Sequence, residues 1–88
     1  MVSLAEIMAR LDRIEERAEA APGAAQDDLE SVITDLGEVI AGRQDRAAAL
    51  LHNEDFPGAA QLLGENALAM QRASVVALEL REQIRRRR

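Results

Sequence analysis

The chain has 88 residues, a formal net charge of −5 and no cysteine. That length holds one domain at most, and such a chain buries only about 60–65% of its unfolded surface, so good packing or association is needed for stability. The lack of cysteine excludes a disulfide framework, a thiolate nucleophile and a zinc–thiolate site, and the acidic balance makes the whole chain a poor general nucleic-acid binder.

All 11 basic residues are arginine, and Phe56 is the only aromatic. Heavy use of Ala and Arg without Lys fits the codon usage of a high-GC genome; avoidance of a lysine-directed modification is the other reading. Residues 1–40 carry ten acids and three arginines, a net of −7, whereas residues 41–88 carry six acids and eight arginines, a net of +2. The opening Met-Val-Ser-Leu-Ala-Glu has no basic region and no sustained apolar run. A cytoplasmic location, with no membrane association, is therefore the expectation.

The first helix opens on a capping box. Ser3 precedes Glu6 by three positions, and Val2 and Ile7 are spaced for a hydrophobic staple. Leu4, Ile7, Leu11, Ile14, Ala18 and Ala21 then alternate by three and four, a narrow seam of the coiled-coil or bundle-edge kind. Glu6 and Arg10, four apart, are placed to pair on the opposite face, where Glu15, Glu16 and Glu19 form a solvated acidic cluster. Pro22-Gly23 is expected to end the helix, giving it about 18 residues.

A second helix is expected from about Ala25 to His52, with Leu29, Val32, Ile33, Leu36, Val39, Ile40, Ala47, Leu50 and Leu51 on its apolar stripe. Gly37 and Gly42 lie inside it. The apolar phase nevertheless carries across Leu36, Ile40, Arg43, Ala47 and Leu50, which favours one continuous helix, the Arg43 stem covering the seam while its head reaches water. The following segment, Asn53-Glu54-Asp55-Phe56-Pro57-Gly58-Ala59-Ala60, resembles the turn and second-helix start of a tetratricopeptide-type hairpin. With no second copy, the resemblance implies an antiparallel helical hairpin and not a repeat array.

The stretch Asp55–Ile84 predicts one long helix with Asp55 as N-cap and arginines at its negative end. It has two apolar stripes. One is Phe56, Ala60, Leu63, Ala67, Met70, Ser74, Ala77 and Ile84; the other is Ala59, Leu62, Ala69, Ala73, Val76 and Leu80, interrupted by Asn66. Two stripes are more than one neighbour needs, so this helix is expected to be covered from two sides. Asn66 and Ser74 either fix register from within the seam or sit exposed at its edge.

Little here points to catalysis. His52 is the single histidine, and with Glu54 and Asp55 it reads as the end of one helix and the cap of the next rather than as a metal site. Phosphate-binding glycine motifs and paired Glu-x-x-His ligands are absent from the sequence. The run Leu4-Ala5-Glu6-Ile7-Met8-Ala9-Arg10-Leu11-Asp12-Arg13-Ile14 is similar to the opening of the all-α chorismate mutases, a resemblance that implies a small helical enzyme with Arg10 at the position of an active-site arginine. The chain departs from that family in its short first helix and in having no lysine for the family's essential lysine position.

The sequence thus predicts an all-α protein: a short helix on a long antiparallel hairpin in residues 1–84, followed by an arginine-rich tail at 85–88, assembling into a larger helical bundle. It assigns no catalytic residue, cofactor or metal. The expected role is a protein–protein interaction or oligomerisation module, as an adaptor or accessory subunit of a larger bacterial or phage assembly. Its contacts would run through Leu4, Ile7, Leu11, Ile14, Phe56, Leu63, Met70, Leu80 and Ile84, toward other copies or a larger protein. A second reading gives Arg81, Arg85, Arg86, Arg87 and Arg88 a nucleic-acid phosphate contact.

Overall fold

The computed structural model describes residues 2–87 and consists of three helices: α1 (Leu4–Arg17), α2 (Pro22–His52) and α3 (Phe56–Arg86). There is no strand among the described residues. The architecture is the expected all-α three-helix one. Its two 31-residue helices form an antiparallel hairpin about 46 Å long, and the 14-residue α1 lies along part of it, spanning about 21 Å.

Local signals start the helices where chemistry requires. The Ser3 hydroxyl accepts from the Glu6 amide at 3.1 Å and Asp55 Oδ1 accepts from the Gly58 amide at 3.0 Å, each satisfying a first-turn donor. A Cβ on Gly58 would stand 2.5 Å from the Asp55 carboxylate, so any other residue there would make the capping side chain shift. Pro22 does not terminate α1. That helix ends at Arg17 and residues 18–20 form a turn; Pro22 opens α2, where its fixed φ and missing N–H suit the first turn. α2 runs unbroken through Gly42, as its apolar phase predicts. The α2–α3 turn contains Glu54 at φ 62°, a left-handed conformation at the helix C-terminus more usual for glycine.

Ion pairs set the register. Arg10 bonds Asp35 at 2.5 Å and Arg17 bonds Asp28 at 2.9 Å, so α1 runs antiparallel to α2. Arg10 therefore reaches across to α2 rather than back to Glu6. Arg72 of α3 donates to Glu15 at 3.0 Å and to Asp12 at 2.8 Å, so part of the acidic face of α1 is an interhelical contact and not merely solvated. These two carboxylates, Glu15 first, hold the Arg72 guanidinium pKa above its usual value. Ile7, Leu11 and Ile14 of α1 close on Leu29, Val32, Leu36 and Ile40 of α2 and on Ala69, Ala73, Val76 and Leu80 of α3.

α3 is covered by both α2 and α1, but only along one of its two apolar stripes. Its buried residues are Ala59, Asn66, Ala69, Ala73, Val76 and Leu80, whereas Phe56, Leu63 and Met70 of the other stripe are exposed. Alanines inside allow α2 to approach closely, and the larger residues of α1 and α2 fill the space.

Candidate interaction face

α1 packs on one side of the hairpin, and the opposite side is open. Along that open side the groove between α2 and α3 forms a trough of about 430 Å³, lined by Ile33, Leu36, Gly37, Ile40, Gln44, Met70, Ala73, Ser74 and Ala77. No charged residue is among them. A cleft of about 450 Å³ continues the groove toward the chain ends between Leu29, Leu80 and Ile84, with Arg81 and Arg85 at its edge. Toward the turn the groove is bordered by projecting apolar side chains: Leu51 is 45% exposed, Phe56 61% and Leu63 44%.

The residues singled out from the sequence divide into two groups. Ile7, Leu11, Ile14 and Leu80 are buried in the chain's own core, with Leu4 and Ile84 half-buried against it. They hold the fold together and are not presented to a partner. Phe56, Leu63 and Met70 are exposed on the open side. Ile33 and Leu51, assigned from sequence only to the α2 stripe, join them on this surface. Ile33 and Leu51 lie four and eleven positions from Gly37 and Ile40, and so fall on the flank of the buried stripe; that offset is the signal that marks them.

The cations are distributed differently from a free tail. Arg85 and Arg86 belong to α3, and Arg87 donates through Nη2 to the Glu19 carbonyl oxygen. Arg88 lies outside the described residues. Arg81 and Arg85 stand 3.9 and 3.5 Å from Glu82, their side chains 60% and 67% exposed, so they are only loosely held. Arg10, the arginine highlighted by the mutase resemblance, is tied to Asp35 and Ser31. His52 lies in the last turn of α2, and no group of three potential metal ligands occurs among the described residues. No helix among them is long and apolar enough to cross a membrane.

One polar contact lies within the hairpin. Arg43 Nε donates to Asn66 Oδ1 at 2.6 Å while its Nη2 reaches Glu65 at 2.6 Å. Asn66 is buried, and its Nδ2 has no partner. The contact aligns α2 with α3 at that point, but an orphan buried donor makes it costly if further disturbed. Arg43→Ala removes both the bond and the aliphatic cover, and should destabilise the fold by about 2 kcal/mol in urea unfolding followed by circular dichroism. Arg46→Ala, exposed and outside the hairpin seam, should change it by less than about 0.5 kcal/mol. Compared with known proteins, the chain matches no family model, no curated protein and no solved structure.

Proposed function

We propose that this protein works by binding, as a non-enzymatic helical interaction or oligomerisation module whose contact surface is the open side of the α2–α3 hairpin. The supporting observation is the inversion of α3. Its fully buried positions down to Ala73 are alanine and asparagine, with Leu62 half-buried beside them, while Phe56, Leu63 and Met70 face water. A helix serving only its own fold places its large side chains inward; one shared with a partner keeps them outside. Burying the exposed half of each of these three contributes about 1–1.5 kcal/mol to association.

Charge on this surface should abolish assembly without unfolding the chain. Leu63→Asp and Met70→Asp should each shift the assembled species to a single chain in size-exclusion chromatography with light scattering, while helicity by circular dichroism stays unchanged. An assembly of unaltered size in both variants would overturn the reading. The same run recorded at 260 nm tests the arginine-based alternative: a protein without Trp or Tyr absorbs weakly there, so a strong signal under the peak reports bound nucleic acid.

A further inference from the structure

We infer that the occupant of the open face is a second copy of this chain, placed antiparallel across a two-fold axis so that two hairpins form a four-helix core with the α1 helices outside. The inference rests on the interaction reading above and adds the partner and its orientation.

The first argument is shape. The open face has two unlike halves. Near the turn it projects Leu51, Phe56 and Leu63; toward the chain ends, apart from Ile33 at its rim, it is hollow, floored by Gly37, Ser74 and Ala77 and continued by the Arg81-edged cleft. An added Cβ on Gly37 would meet nothing within 4 Å, so this floor is open space. A two-fold axis perpendicular to the helices, near Ile40 and Met70, superposes the projecting half of each copy on the hollow half of the other. Leu63 then stands over Ser74, and Phe56 over the cleft between Leu29 and Ile84. A parallel pairing instead sets projection against projection and hollow against hollow. The arrangement is isologous and closed, so it stops at two chains.

The second argument is charge. The antiparallel axis brings Arg81 and Arg85 of one copy beside Glu54 and Asp55 at the turn of the other, twice by symmetry. The parallel pairing brings the arginines of both copies together. In the single chain these arginines are two-thirds exposed and no closer than 3.5 Å to a carboxylate. Phe56 beside Arg81 also permits a cation–π contact. Glu54 holds a left-handed conformation disfavoured for a non-glycine residue, so the carboxylate stands there against the local backbone preference.

The third argument is area. Two helices of about 46 Å lying about 10 Å apart present a face on the order of 900 Å², close to the roughly 800 Å² per partner of a standard specific interface.

The test is a charge-swap mixing experiment. Wild type should be a dimer by light scattering at micromolar concentration. Glu54→Arg alone, and Arg81→Glu with Arg85→Glu, should each weaken dimerisation about tenfold or more by sedimentation equilibrium. Mixed, the two variants should form a heterodimer tighter than either variant alone, detectable by native mass spectrometry, because position 54 of each copy then faces opposite charge and only one Asp55 meets the introduced carboxylates. Phe56→Ala should weaken the dimer at least as much as either swap. A monomeric wild type would overturn the dimer while leaving the interaction reading to another partner. A dimer broken by Met70→Asp yet indifferent to the swaps would overturn the antiparallel orientation alone. A dimer indifferent to Met70→Asp and Leu63→Asp would overturn both readings.

Discussion

Leu11→Ala should lower the stability of the fold by about 3–4 kcal/mol, the largest loss expected from any single truncation in α1. Leu11 is fully buried in the middle of the shortest helix. Its removal deletes apolar area and leaves a cavity that neighbouring helices close only in part. The consequence is larger here than the cavity alone suggests. α1 has 14 residues, a length at which an isolated helix is marginal in water, so packing holds it helical. Of its few anchors, Ile7 and Ile14 are the other large buried ones. A domain of this size has roughly 4–13 kcal/mol to lose. Urea unfolding at one fixed protein concentration checks the figure, since self-association would otherwise move the midpoint. Leu4→Ala, at a half-buried position, should cost well under half as much. Equal losses at the two positions would mean that α1 is held by its ends and not by its centre.

The helices themselves were legible from sequence because their signals are local. Ser3 before Glu6, Asp55 before Phe56-Pro57, and unbroken apolar spacing through Gly42 depend on neighbours within one or two turns. Pro22 is ambiguous for the same kind of reason. Proline both stops a preceding helix and starts a following one, and only the position of Ala18, buried in the turn after Arg17, separates the two roles. The pairing of Arg10 was illegible because Glu6 and Asp35 are both within reach, and the choice belongs to the packing of α1 on α2.

The candidate face was half legible. Periodicity finds both stripes of α3 but does not say which faces inward. The decision is made by size: α2 brings Leu36 and Ile40, α1 brings Ile7 and Leu11, and the remaining space accepts Ala69 and Ala73 but not Met70. The sequence therefore supplied Phe56, Leu63 and Met70 as contact candidates together with Ile7, Leu11 and Leu80, and only the three-dimensional arrangement separates surface from core. The hollow at Gly37 and Ser74 had no sequence signal, since small residues on a helix mark a close approach and an empty groove equally well.

Positions 69 and 70 put this distinction to a direct test. Ala69→Leu should destabilise the fold by about 2–3 kcal/mol, whereas Met70→Leu, one residue along, should leave stability within about 0.5 kcal/mol of wild type. Ala69 has no exposed surface and belongs to the core shared by all three helices. Three added carbons there must push α1 or α2 off α3 or adopt strained rotamers. Met70 is 55% exposed and lies over open groove, so leucine has room. Association should respond in the opposite sense. Met70→Leu keeps an apolar side chain on the open face and preserves the assembly; Met70→Asp removes it without disturbing the core. Ala69→Leu would lose fold and assembly together, because displacing α3 also displaces the stripe that it presents. Were Met70→Leu the more destabilising substitution, α3 would have to be rotated by about one residue, the alanine stripe would face outward, and the interaction face would lie on a different side of the hairpin.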